Sequence, residues 1–141
     1  MAEKNASETK MDWDKKYDVA LEQAVFRWIA GVLEDATLFD GVSGPNQFKD
    51  KLKNGEILCN LMNKLQAGII KKFKKNAKMP FQQMENIGFV NEAMRNYGVQ
   101  AEYIFVTVDL FEGQNIPQVL LSLRNLGDVA TGKGIKPAFS L

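Results

Sequence analysis

The sequence predicts an all-α fold, a bundle of about four main helices plus short connecting helices, and three observations support it. Apolar residues recur at helical spacing in four separate segments: Leu21, Val25, Trp28 and Val32; Leu58, Leu61, Met62 and Leu65; Met84, Ile87, Val90, Met94 and Tyr97; and Ile116, Leu120 and Leu123. Boundary residues punctuate these segments. Asn115 is placed as an N-cap, Pro117 lies in a first turn where a missing N–H costs nothing, and Gly98 and Gly127 stand as stops. The strand-like run Val106-Thr107-Val108 finds no partner elsewhere in the chain, and a solitary strand has nothing to pair with.

Taken in order, residues 1–12 combine low hydrophobicity with mixed charge, which predicts a flexible lead-in. The first helix is expected to start between Asp12 and Asp18 and to end before Asp40-Gly41, with Glu22, Arg27 and Glu34 off its apolar stripe and facing water. Residues 41–46 read as a loop. A second helical region holds Phe48 and Leu52 and restarts at Asn54 as the central helix, followed by a less regular basic connection over 66–80. A helix over 81–97 ends at Gly98, and 103–105 and 108–111 are short enough for single turns. Between Asp109 and Asn115 the chain turns sharply, and Gly113 supplies a backbone angle that a residue with a Cβ resists. The last helix then runs to Gly127. The tail, 131–141, contains Gly, Pro and few apolar anchors and is expected to be mobile or loosely packed. Trp28, Phe81, Phe105 and Phe111 each sit within an apolar pattern and are assigned to the core.

Composition excludes more functions than it suggests. The 141 residues suit one compact domain, and 45% hydrophobic with 25% charged residues is an ordinary globular balance. The chain has no histidine, which removes Ser–His and Cys–His catalysis and histidine-based zinc sites. Cys59 is the single cysteine and reads as a small buried apolar residue rather than a nucleophile. There is no GxxxxGK[ST], GxGxxG or DxDxDG-like run, and no carboxylate spacing points to acid–base chemistry. No enzyme activity, cofactor or metal is expected. A net charge of +1 and a pI near 7.8 disfavour nucleic acid as a partner. No stretch approaches about 18 consecutive apolar residues and the first ten are polar, so the expected location is cytoplasmic, away from the membrane.

Charge is distributed unevenly along the chain. Between Ile57 and Met84 lie Lys64, Lys71, Lys72, Lys74, Lys75 and Lys78 with no acidic residue, whereas 85–128 is mainly acidic. One reading is a basic connector that meets an acidic partner surface, with attraction that speeds encounter and fades in salt. The other is a solvated connector that contacts nothing. Each exposed ion pair contributes only about 0–1 kcal/mol, so such a patch steers and orients without anchoring by itself.

Four motifs occur in a fixed order: LEQAVFRWI at 21–29, LKNGEILCNLMNKL at 52–65, FQQMENI at 81–87 with Tyr97-Gly98-Val99 after it, and FVTVDLFEGQNIPQVLLSLRNLG at 105–127. Together they resemble a calponin-homology domain of the type found in calponins and transgelins, placed over 13–130. The resemblance implies a compact helical bundle and a cytoskeletal module that binds, cross-links or stabilises actin filaments. It implies Lys71, Lys72, Lys74, Lys75 and Lys78 as contacts with the acidic filament. A second candidate surface is the corner before the last helix, with Gln114, Gln118 and Arg124, since Asn115 and Gly113 are read as capping and turning the chain. The GLQMGSN-like repeat that usually follows this domain in transgelins does not occur in the sequence. The alternative is therefore an adaptor for signalling or other cytoskeletal proteins that does not itself bind actin strongly. Binding of an anionic lipid surface through the same lysines with Ile69, Ile70 and Phe73 is a third, membrane reading.

Overall fold

The computed structural model describes residues 17–141. The flexible lead-in expected over 1–12 lies outside the described residues. Six α-helices and one 3₁₀ turn follow in order: α1 Val19–Leu33, α2 Pro45–Leu52, α3 Glu56–Leu65, α4 Pro80–Tyr97, the 3₁₀ turn Ala101–Tyr103, α5 Thr107–Phe111 and α6 Ile116–Gly132. No strand occurs among the described residues, so the all-α prediction holds.

α1, α3, α4 and α6 are the four longer helices. α1 packs against both α3 and α6, α3 against α4, and the short α5 bridges α4 and α6, with α2 set against α3, α5 and α6. Their apolar stripes converge on one core in which Ile29, Phe48, Leu58, Met62, Met94 and Leu123 are fully buried. The expected boundaries are built by local chemistry. The Asp18 carboxylate accepts the Leu21 N–H at 2.9 Å, and the Asn115 side chain accepts that of Gln118 at 3.2 Å, so each caps the helix it precedes. Gly113 turns the corner before α6 with φ +70°, as its place in the sequence predicts.

Four readings of the sequence are corrected. Glu22 does not face water but is fully buried: its carboxylate accepts from the Tyr17 hydroxyl at 2.5 Å, the Gly44 N–H at 2.6 Å, the Gln23 amide at 2.7 Å and the Ser43 hydroxyl at 3.3 Å. The cause is that α1 is covered on more than one side, and a loop some twenty residues later closes over its first turn. In that loop Phe39 stacks on Phe26 with ring centroids 4.1 Å apart. Phe81 is 62% exposed rather than in the core, because the α4 residues that reach the core begin at Asn86 and Ile87.

Gly127 does not end the last helix, which continues to Gly132; its missing side chain instead makes room for Phe139, whose ring carbons lie 2.7–2.8 Å from where a Cβ would stand. The tail is accordingly packed against α1 and α6. Trp28 Nε1 donates to the Pro137 carbonyl at 3.1 Å, the Phe139 ring meets Trp28 edge-on at 6.2 Å, and the Phe139 N–H donates to Thr131 Oγ1 at 2.8 Å. Too few apolar residues were visible there to predict this, but two are enough when glycines clear the space beneath them.

Candidate partner-binding surface

The basic connector between α3 and α4 has no helix or strand of its own beyond turns, yet its backbone is held along its length. Asn63, on α3, accepts the Ile70 N–H at 2.8 Å and donates to the Ile70 carbonyl at 3.1 Å. Asn86, on α4, does the same for Lys74: Oδ1 accepts the N–H at 2.9 Å and Nδ2 donates to the carbonyl at 2.8 Å. Asn86 Nδ2 also reaches the Asn54 carbonyl at 2.9 Å. Each amide thus satisfies both main-chain groups of one connector residue, which is what a neighbouring strand would otherwise do.

Further along, Glu56 Oε1 accepts the Asn76 N–H at 2.6 Å, and Gln83 Nε2 donates to the Ala77 carbonyl at 2.8 Å. Asn76 takes a left-handed φ of 53°, a conformation that asparagine tolerates better than most residues. Ile70 and Ala77 are buried beneath the ribbon and Phe73 is half-buried. The lysines left outside are Lys71, Lys72, Lys74, Lys75 and Lys78, all exposed, as is Lys64 on α3. Five of the candidate residues are therefore presented together on an ordered strip.

A shallow cleft of about 300 Å³ lies between this strip and α4, lined by Ile69, Ile70, Lys71, Lys72, Phe89, Glu92, Ala93 and Asn96. Its lining holds ammonium, carboxylate and amide groups and no hydroxyl or thiol. Beneath the strip, Cys59 is fully buried with Sγ 3.6 Å from the Asn86 carbonyl, and burial, helped by the Glu56 carboxylate, pushes its thiol up to about 12. A thiol so held stays protonated and unreactive. Among the described residues no cluster of three or more His, Cys, Asp or Glu could hold a metal ion, and no helix is long and apolar enough to cross a membrane.

The second candidate surface is separate. Gln114 is exposed and bonds the Glu112 carboxylate at 2.8 Å, and Arg124 is exposed on α6. Gln118 is half-buried and committed to the fold: its amide donates to the carbonyls of Tyr103 at 3.1 Å and Glu102 at 3.4 Å. Beside it, the buried Ser122 hydroxyl accepts the Phe105 N–H at 2.9 Å and donates to the Tyr103 carbonyl. No hydrogen bond among the described residues joins this corner to the lysine strip. Sequence reasoning also passed over two cations at the corner: Lys53 Nζ lies 5.3 Å from the centre of the Phe111 ring, and the Lys49 stem packs where a Gly113 side chain would project. Asn63 and Asn86 were missed as well. Their signal was an asparagine inside each helix, beside buried apolar positions, where its propensity is poor.

The profile of the calponin homology (CH) domain family matches residues 20–132. The chain belongs to this family. Among characterised relatives it is 51% identical to Myophilin of Echinococcus granulosus over 80 residues, which is 57% of this chain and 42% of that protein. It is 36% identical to Calponin-2 of Bos taurus over 131 residues, covering 93% of this chain and 40% of the relative. The CH chain thus spans about two fifths of the length of these relatives. Its fold matches the crystal structure of the calponin-homology domain of Rng2 from Schizosaccharomyces pombe with a TM-score of 0.71 at 22% identity, covering 92% of this chain and 75% of that one.

Proposed function

We propose that this CH domain is a non-enzymatic cytoskeletal module that binds the acidic surface of filamentous actin through Lys71, Lys72, Lys74, Lys75 and Lys78. The observation that supports it most is the double asparagine bracket, which fixes the backbone under the lysines before any partner arrives. A solvated linker needs no such frame. Holding the ribbon in place removes ordering entropy from the binding step, so each small charge contribution is retained in the affinity. Gln114 and Arg124 are a secondary contact, and Gln118 supports the corner from within. The location this reading gives is the cytoplasmic cytoskeleton.

Co-sedimentation with filamentous actin at low and moderate salt tests the proposal. The chain is expected to pellet at low salt and to release as salt rises. Replacing Lys71, Lys72, Lys74 and Lys75 by Glu should abolish pelleting while helical content is unchanged. Wild-type protein that stays in the supernatant at low salt and high concentration defeats direct filament binding, and favours the adaptor reading.

A further inference from the structure

Where the lysine strip enters α4, three large apolar side chains within six residues of sequence are exposed to solvent. Met79 is 53% exposed, Phe81 62% and Met84 36%. Phe81 and Met84 are one helical step of three apart and share a face, and Met79 immediately precedes the helix. Exposed Lys75 and Lys78 lie just before them in the chain. Elsewhere the exposed large hydrophobic residues are the aliphatic Val19, Val106, Val108, Leu121 and Leu141, so Phe81 is the aromatic exception among the described residues. Core contacts of α4 begin at Asn86 and Ile87, so Phe81 lies outside the buried face of the helix. Single exposed apolar residues need no explanation, but an aromatic between two methionines beside a cationic strip has the composition of a binding surface.

We propose that Met79, Phe81 and Met84 form an apolar anchor that receives a large apolar side chain from an acidic protein segment, whose carboxylates are met by Lys75 and Lys78. The inference rests on the reading of the lysine strip as a partner-binding surface. It supplies what that strip lacks. Exposed lysines orient a partner and speed its arrival but hold it weakly, whereas burying a phenyl ring and two thioether side chains gives affinity that salt does not screen. Charge placement favours a protein over a lipid surface. Glu85 is exposed, adjoins Met84 and lies one turn beyond Phe81 on the same face, so dipping this face into an anionic bilayer would press a carboxylate against phosphate head groups. An acidic segment can instead run along the lysine side and leave Glu85 in water.

The test uses the full isotopically labelled chain and a short synthetic peptide of aspartate and glutamate around one central Trp–Leu pair, with an Ala–Ala counterpart. The Trp–Leu peptide is expected to bind at least about tenfold more tightly and to shift the amides of Lys78, Met79, Phe81 and Met84. Phe81→Ser should bring it to the level of the Ala–Ala peptide, Phe81→Met should retain most of the preference, and an unchanged urea midpoint shows that the fold is intact. Equal binding of the two peptides, or a preference that survives Phe81→Ser, overturns the anchor. Phosphatidylserine vesicles that capture the wild type but not Phe81→Ser, with no peptide preference, assign the patch to membranes and also overturn it. Pelleting of the same proteins with actin separates the two readings. A wild type that prefers the Trp–Leu peptide but does not pellet supports the anchor and rejects the filament, whereas pelleting indifferent to Phe81→Ser, with no peptide preference, does the reverse.

Discussion

Asn86 and Lys74 are joined by two hydrogen bonds running in opposite directions, side-chain oxygen to backbone N–H at 2.9 Å and side-chain nitrogen to backbone carbonyl at 2.8 Å. The amide is fully buried, and a third bond ties it to the Asn54 carbonyl. Asn86→Ala strips all three and leaves the partly buried main-chain groups of Lys74 and Asn54 without this partner. The expected cost is on the order of 2–4 kcal/mol in urea unfolding, with faster hydrogen exchange at the Lys74 amide. Asn86→Asp keeps the acceptor and loses both donors, so exchange at Lys74 should stay slower than in the alanine variant.

Gly55 sets the position of that asparagine. It opens α3 at φ +80°, and a Cβ built there would stand 2.6 Å from Asn86 Cβ and 3.1 Å from the Ile87 nitrogen. Neither neighbour is the free end of a flexible side chain, so Gly55→Ala must move α4 relative to α3. Left-handed strain alone contributes about 1–3 kcal/mol, and the overlap adds to it. The variant should unfold at clearly lower urea and show changed amide shifts across the lysine strip, 71–78. A variant with wild-type stability and an unshifted strip contradicts this packing.

Alkaline pH should unfold the domain through its buried acids. Burial raises the Cys59 thiol from an ordinary 9.0 to about 12. Tyr17 is raised above 10.0 by burial and by its hydrogen bond to Glu22, and Tyr97 by burial. All three are neutral in the fold, so as pH rises the unfolded chain loses its protons first. The Cys59 contribution is fully present below about 9 and falls as pH climbs, by up to about 1.4 kcal/mol per unit, and the two tyrosines add to the decline from about 10. Cys59→Ala lowers stability at neutral pH by about 1 kcal/mol but should flatten the decline that starts near 9. Urea midpoints measured across that range decide it, and an equal slope in both proteins removes Cys59 as a contributor.

Periodicity and capping residues made the bundle legible, because each depends on neighbours within one or two turns. The stripe of α3, the Asn115 cap and the Gly98 stop could all be read that way. What stayed hidden depends on distant partners. Glu22 looks like a surface carboxylate until a loop 21 and 22 residues later closes over it. The lysines of the candidate surface were visible as a charge run, but their fixed backbone was not, since Asn63 and Asn86 bracket an irregular segment that has no period to detect. Phe81 was assigned to the core because it sits within an apolar pattern, and such a pattern does not say where the buried face of α4 begins.

Gly127 and Phe139 make the most exacting prediction, because a glycine in mid-helix and a ring in the tail are matched to each other. Three ring and stem carbons of Phe139 stand 2.7–2.8 Å from the position of a Gly127 Cβ, closer than any real Cβ contact. Gly31 is matched in the same way to Pro137, at 2.7 Å. In an isolated helix Gly→Ala adds about 1 kcal/mol of stability by propensity, so an unoccupied face would make Gly127→Ala stabilising. Here the added methyl must expel the ring, which costs the edge-on contact with Trp28, the bond from Trp28 Nε1 to Pro137 and the one from the Phe139 N–H to Thr131. The net expectation is a loss of about 1–2 kcal/mol, together with a shifted Trp28 indole N–H resonance and a freely exchanging Phe139 amide. Phe139→Ala should reverse the sign: in that background Gly127→Ala has nothing left to displace, and its helix propensity should raise the urea midpoint. If the two substitutions instead add independently, the tail is not seated on the glycine face.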